Sequence, residues 1–444
     1  MKQYSNKPFK PSKLPFFYGW IILAAGTVGI LMSIPGQTMG VSVFTENLLK
    51  DLSINRSNLS LAYLLGTLVS GLLITKAGKL YDLYGARVMT FIAGVMLGVV
   101  LLYLTRVDLV AEALSSSNGL ISPALATFFL LAIGFFGIRF FGQGVMTMVS
   151  RNMVMKWFDK RRGLANAVLG IFTALGFAIA PKILDQVVEH LEWRGAWFAL
   201  AILVGLVFAV FVVILYRDNP EDCGCVADGK MKGTRKLKRP PSLPPKDFTL
   251  KEAHRTLAFW VFTLGLSLGA LYFSGLTFHV VSIFESSGMT KIQGIGLFVP
   301  TSLIAVVIQF AGSYLSDFIR LKYLLLVFAL GMLVTTLGLV LLGEMNGAYW
   351  MVVSGNGVVW GLYSVLIGVS WPRFYGLKNL GAISGSSLSF TVIGSALGPY
   401  MFSLSHEWTG RYDLVGWVCL AIGVLLFVLA FRADNPNEHE KEQL

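Results

Sequence analysis

Twelve stretches of about 20 mostly apolar residues run through this chain, and that pattern leaves few folds open to it. They lie near residues 16–45, 59–77, 88–105, 122–150, 163–187 and 194–216, and then near 257–285, 293–315, 323–343, 348–372, 380–405 and 412–431. Runs of that length match the hydrocarbon thickness of a bilayer. Inside a bilayer each backbone polar group must be bonded internally, and for single apolar runs of this kind the helix meets that demand. The chain is 55% hydrophobic and only 14% charged over 444 residues, more apolar surface than a soluble core hides. The expectation is an all-α membrane protein with twelve transmembrane helices.

The runs fall into two groups of six. This reads as an N-terminal tail (1–15), a six-helix bundle (16–216), a linker (217–256), a second six-helix bundle (257–431) and a C-terminal tail (432–444). The linker contains DGKMKGTRKLKRPPSLPP, rich in Lys, Arg and Pro, and is expected to be flexible chain. When the connections are assigned alternately to two sides, most of the 36 Lys and Arg fall on one of them. The positive-inside bias then makes both termini and the linker cytoplasmic, in a plasma (cytoplasmic) membrane. The net charge of +12 is thus a topology signal rather than a nucleic-acid signal, although the basic linker also suits contact with anionic lipid. The expected partners are the bilayer and a small-molecule solute.

Met1 to Leu14 reads as a short basic tail that enters the first span directly, not as a cleaved signal. The three cysteines, Cys223, Cys225 and Cys419, fit no disulfide framework, and the Cys-x-Cys pair lacks neighbouring ligands for a metal. Neither a cofactor motif, nor a nucleophile-and-base pair, nor a phosphate loop is visible. An enzyme and an ATP-driven pump are therefore not expected.

The two halves echo each other. The sixth span is followed by YRDNPE (Tyr216 to Glu221) and the twelfth by FRADNP (Phe431 to Pro436). One common offset carries Gly163, Gly176 and Pro181 onto Gly381, Gly394 and Pro399. Parallel six-helix repeats place a solute site between the halves near the membrane midplane and let the halves rock about it. Between the second and third spans, GKLYDLYGAR (Gly78 to Arg87) reads as a tight charged turn. Asp82 is suited to accept hydrogen bonds from Arg87 and to face the positive start of the eleventh helix, as a latch that opens during the cycle, with a solvated loop charge as the alternative. Gly78 and Gly85 allow close approach and a sharp turn.

That turn resembles the signature loop of the major facilitator superfamily, G-x-x-x-D-x-x-G-x-R, carried here by Gly78, Asp82, Gly85 and Arg87. A worn copy follows the eighth span at Ser313, Asp317, Arg320 and Lys322, and the fourth span looks like the family's second motif at Arg139, Gly142, Gln143 and Gly144. The resemblance implies the major facilitator fold and secondary transport by alternating access, with the loop residues as gating residues. Within the superfamily, Tyr18-Gly19-Trp20, the run from Trp157 to Ala165, and Phe278-His279 are similar to the monocarboxylate carriers and the oxalate/formate antiporter group. This implies a small organic anion such as a monocarboxylate. The chain departs from those carriers in the eighth span, where Gln309 stands at the place of an arginine that pairs with the substrate carboxylate and Ala305 at the place of an acid one turn earlier. An efflux carrier for neutral or amphipathic compounds suits that departure, and a transporter-shaped sensor is a third reading.

Arg139 is the one charge near the middle of a span, which makes it either an anion docking point and switch or an arginine satisfied by nearby carbonyls. Gln37, Gln309, Asn356 and Tyr363 are suited to orient a small polar solute, or to join helices. His279 is the candidate for exchanging a coupling proton, with an interfacial histidine as the alternative. The glycines at 134, 137, 142, 144, 163, 170 and 176 are expected to let the fourth and fifth helices approach closely.

Overall fold

The computed structural model describes residues 6–52, 54–118, 122–229 and 246–439, and among them no strand occurs. Among the described residues, nine helices are long and apolar enough to cross a membrane. Two of them are too long to be single spans. Ser57–Leu104 has 48 residues and Arg162–Leu215 has 54, each more than twice the about 20 that a bilayer needs.

Each of these long runs turns back at one residue. The run Arg56–Leu104 bends at Gly85, whose φ of 80° and ψ of 174° belong to a region essentially reserved for glycine, and so divides into α2 before the turn and α3 after it. The run Arg162–Ile202 bends at Glu192 (φ 56°, ψ 168°), giving α5 and then α6, which continues through Leu203–Phe208 and Ala209–Leu215. Strain at Glu192 has no glycine to absorb it. Glu192→Gly is expected to raise unfolding stability by about 1 kcal/mol, after subtracting the entropy glycine adds to the unfolded chain; an unchanged or lower thermal midpoint would refute this account of the turn.

The remaining spans complete twelve. α1 is Gly19–Leu31, extended by the short helices Thr38–Ser42 and Thr45–Asp51 beyond a break at Ile34–Gly36. α4 runs from Pro123 to Trp157 through a wide π turn at Arg139–Met146. The second half contains α7 (Leu257–Ser286), α8 (Phe298–Ser316, led in by Lys291–Gly296), α9 (Leu321–Val340), α10 (Ala348–Tyr375), α11 (Leu380–Thr409) and α12 (Asp413–Ala430). Starts are set by local chemistry. Ser122 accepts from Leu125 N–H ahead of Pro123, Asn55 accepts from Asn58 N–H, and Thr290 and Gln293 cap each other.

Contacts divide the chain into two compact units, one formed by Met1–Asp159 and Phe172–Thr234, the other by Lys160–Ile171 and Arg235–Leu444. In the first unit, glycine pairs let backbones meet. Gly98 of α3 lies against Gly205 of α6, and Gly142 of α4 against Gly36 in the break after α1. In the second, α7 packs along α11, with a Cβ on Gly394 reaching 2.6 Å from the Ser267 carbonyl. The expected pairing of the fourth and fifth helices through their small residues is corrected here. Gly134 and Gly137 face Leu104 and Val100 of α3, Gly144 faces Ile74 of α2, and in α5 Gly163 and Gly170 face α8 while Gly176 faces Leu31.

Two further expectations change. The stretch from Gly78 to Tyr84 is not a loop; it continues α2, and the turn is confined to Gly85. The linker is ordered at both of its ends, while the basic run at 230–245 lies outside the described residues. At the first end, Arg217 stacks 4.9 Å over the Phe9 ring and donates to the Phe9 carbonyl. Trp157 Nε1 donates to the Arg217 carbonyl at 3.1 Å, Asp228 N–H donates to the Trp157 carbonyl, and Asn219 binds Asp222. The N-terminal tail and the start of the linker thus form a small folded cap on the first unit. At the other end, Thr249 and Glu252 make a capping box, and Phe248 N–H donates to the Tyr375 carbonyl.

Candidate functional site

In the first unit the polar interior is built around the break after α1. Pro35 and Gly36 interrupt the helical ladder there, and Gly40 N–H bonds to the Gln37 carbonyl rather than to that of Gly36. Arg139 takes the released carbonyl. Its Nη1 donates to Gly36 O at 3.1 Å and reaches Thr38 Oγ1 at 3.4 Å, and its guanidinium lies 5.3 Å from the centre of the Tyr63 ring. Tyr63 Oη in turn donates to Thr38 Oγ1 at 3.0 Å.

Arg139 is 2% exposed, and its Nε has no hydrogen-bond partner among the described residues. These partners are neutral, so the buried positive charge is solvated by dipoles and a ring face instead of a carboxylate. The π turn that begins at Arg139 is a feature often found at functional sites, since it re-aims side chains that a regular helix would space differently. Gln37, the residue that follows Gly36, is tied down. Its Nε2 donates to Ser33 Oγ at 3.0 Å and Thr147 Oγ1 at 3.3 Å, and Thr147 Oγ1 donates to Ser33 Oγ.

In the second unit, the first turns of α5 lie in a seam with α8 and α10. Asn166 Nδ2 reaches Ser313 Oγ at 3.3 Å and the Ser364 carbonyl at 3.2 Å. Gln309, one turn before Ser313, packs its amide directly against Gly170, where any side chain would collide with it. Asn356 is fully buried in α10, and Tyr363 is half-buried two turns later. His279 of α7 contacts the Pro399 carbonyl at 3.0 Å and Ser403 Oγ at 3.2 Å, with its ring parallel to Phe402. A carbonyl partner requires the Nε2–H tautomer, so this histidine joins α7 to α11 where Pro399 interrupts the helix.

The signature residues are held by acids that the sequence reading did not single out. The Asp218 carboxylate, just past α6, accepts from Ala86 N–H and from Arg87 N–H at 3.1 Å, capping the start of α3. Arg87 Nε donates to the Tyr216 carbonyl at 2.9 Å. Burial pushes the Asp218 carboxyl up from the usual carboxylate range, opposed by the Arg87 N–H, the Lys156 charge and the Ala86 N–H. Lys156, at the end of α4, lies 4.7 Å over the Tyr81 ring within the fields of Asp82, Asp218, Asp222 and Glu221.

The second copy is arranged in parallel. Asp434, just past α12, binds Lys322 and, at 3.3 Å, Arg320. Asp317 accepts from Gly163 N–H at the start of α5 and from Arg373 Nη2, both at 3.0 Å. Burial pushes the Asp317 carboxyl up, and those two donors oppose it. A third acid repeats the device at Gly376 (φ 79°), where Asp247 Oδ1 accepts from Leu377 and Lys378 N–H at 2.9 and 3.0 Å. The signal for the two acids past α6 and α12 was the echo of YRDNPE in FRADNP, which marks the repeat and also supplies the partners of both loops.

Asp434 allows a pH test. Burial pushes its carboxyl up, but Lys322, the Asn435 N–H and Arg320 together hold it below the usual carboxylate range. A depressed folded value means that the contribution is complete above the ordinary value and is lost as pH falls through the folded one. Asp434→Asn is therefore expected to cost about 1 kcal/mol at pH 7, with the difference from the native chain closing only at a pH below the ordinary carboxylate value. A difference in thermal midpoint that stays constant down to that pH would rule out this ion pair as its source.

The family profile of the Major Facilitator Superfamily matches residues 21–399. The chain belongs to the Major Facilitator Superfamily. Among solved structures it is similar to the superfamily transporter FucP, with a TM-score of 0.64 over 94% of this chain and 99% of that one at 11% identity, which is a likeness of fold. Among curated relatives, it is 27% identical over 239 residues to mouse Monocarboxylate transporter 6, covering 52% of this chain and 42% of that protein. It is 23% identical over 245 residues to the L-fucose-proton symporter of Haemophilus influenzae, covering 54% and 50%. The matched stretches thus span about half the length of these relatives. Membership makes the chain an integral membrane protein of a transporter superfamily, with the fold on which such proteins are built.

Proposed function

We infer that this superfamily member is a secondary carrier that moves a small organic anion, of the monocarboxylate class, by alternating access. The observation that carries the reading is Arg139, a buried cation in the first unit whose partners are neutral and whose Nε is unpartnered among the described residues. A carboxylate is the group that would complete it, by charge and by the paired geometry in which guanidinium and carboxylate meet. The similarity to mouse Monocarboxylate transporter 6 supports the same class. The similarity to a proton symporter supports a coupling proton, for which His279 is the candidate site. Gln37, Gln309 and Tyr363 are candidate solute contacts, Asn356 is a candidate for either a solute contact or a helix-joining amide, and Gly78, Asp82, Gly85, Arg87, Asp317 and Arg320 are candidate gating residues. The bias of Lys and Arg supports cytoplasmic termini in a plasma membrane.

A second reading, efflux of neutral or amphipathic compounds, is favoured by Gln309, which brings no charge to the place where similar carriers have an arginine. Proteoliposomes decide between them. Under the anion reading they accumulate labelled lactate or pyruvate when an inward proton gradient is imposed to drive uptake. Transport of amphipathic dyes with no carboxylate uptake selects efflux instead, and binding without counterflow selects a sensor.

A further inference from the structure

Asn356 lies midway along α10 between two glycines that draw the neighbouring helices in. A Cβ on Gly355 would stand 2.6–2.7 Å from Thr335 N and Gly331 O of α9, and one on Gly357 would stand 2.7 Å from the Ile304 side chain and 3.1 Å from Thr301 O of α8. At about 100° per residue, the Asn356 side chain leaves the helix midway between those two directions, into the interior of the second unit. It is 0% exposed, and neither Nδ2 nor Oδ1 has a hydrogen-bond partner among the described residues. A carboxamide offers two donors and one oxygen with two lone pairs, and buried amides are served by protein or by ordered water.

The surroundings are polar and neutral. A helical side chain leans back over the turn before it, which for Asn356 is the turn at Val352 and Val353. Hydroxyls converge there from three helices. Thr335 Oγ1 of α9 is 3.2 Å from Val352 O, and Thr301 Oγ1 of α8 is 3.4 Å from Val353 O. Tyr272 Oη of α7 donates to Thr335 O at 3.0 Å and lies 3.1 Å from Thr335 Oγ1. Thr335 has one hydroxyl proton for two acceptors, Val352 O and Tyr272 Oη, so lone pairs in this group are left open.

We propose that Asn356, Tyr272 and Thr335 form a binding site for a buried water that accepts from the Asn356 amide and donates to the open lone pairs around it. Water suits the set because every member is neutral; a metal ion or an organic anion would bring charge that nothing there compensates. The site is independent of the anion reading, which rests on Arg139 in the first unit. Its consequence for the carrier is that Asn356 joins α10 to α7 and α9 through water instead of touching the transported solute.

An experimental structure at a resolution that shows ordered water tests this directly. The expected result is density within hydrogen-bond distance of the Asn356 amide and of Tyr272 Oη or Thr335 Oγ1. Asn356→Leu, of similar size and without polar atoms, is expected to fold and to lose that density. A direct protein bond to the amide with no density, density of a bound solute at the amide, or water that persists unchanged in Asn356→Leu would each overturn the proposal. Should the leucine variant fail to fold, the density in the native chain decides alone.

Discussion

Arg139→Ala is expected to reduce carboxylate binding by about 30- to 100-fold and to lower uptake in proportion, because a charge-assisted pair contributes roughly 2–3 kcal/mol and each 1.4 kcal/mol is tenfold. The loss should be specific to function. In the folded protein, Arg139 contributes hydrogen bonds to Gly36 O and Thr38 Oγ1, but its removal also ends the cost of holding an ion away from water. These effects oppose each other, so the thermal midpoint should move much less than affinity does. Arg139→Lys is expected to fall between, since it keeps the charge and gives up the planar fork. Binding and counterflow of labelled lactate measure the first effect and thermal unfolding the second. Uptake at the native rate in Arg139→Ala would remove the main support for an anionic solute.

Gly85→Ala is expected to have the largest effect on folding, a loss of about 2–4 kcal/mol. Two costs combine. The φ of 80° with ψ of 174° is a conformation that L side chains avoid, and a Cβ there would stand 2.5–2.7 Å from the Asp218 carboxylate. Relief of that collision pulls Asp218 away from the N–H groups of Ala86 and Arg87, so α3 loses its cap. Asp218→Asn keeps a carbonyl acceptor and the glycine turn, and should cost clearly less. Thermal unfolding of both variants measures the order. Equal losses would mean that the cap, and not the backbone conformation, dominates at this turn.

These two positions differ in how far the sequence exposes them. The spans were legible because a bilayer enforces length and apolarity together, and even the broken α1 kept its hydropathy through Pro35 and Gly36. The signature residues were legible as a pattern, but their partners were not. Gly78 to Tyr84 is charged enough to read as a loop, yet a helix tolerates Lys79 and Asp82 where it leaves the apolar zone, and only Gly85 needs to depart from helical geometry. Asp218 and Asp247 act across 132 and 130 residues of chain, on backbone N–H groups that carry no sequence signal of their own. The ordered linker ends escaped for a related reason. Their polar composition suggests flexible chain, whereas Thr249 with Glu252 and Arg217 with Phe9 supply local order that composition averages away.

Around the break in the first unit, Arg139 stood out because charge is rare in a span, while the release of Gly36 O depends on which carbonyl the Gly40 N–H chooses. Gln309 was visible as a departure from similar carriers, but its fit against Gly170 is a matter of helix packing.

The cap on the first unit also sets an order of events during synthesis. Phe9 leaves the ribosome early, and the guanidinium that covers it belongs to a residue 208 positions later. The tail therefore has no seat until α6 has been made, and the contact closes a loop that contains every helix of the first unit. Closure uses residues from the tail, from the end of α4 at Trp157 and from the start of the linker, so it tests whether those segments have reached their places. Every residue of the contact is translated before α7 begins at Leu257, so the segments that close it are all made while most of the second unit is still to be translated.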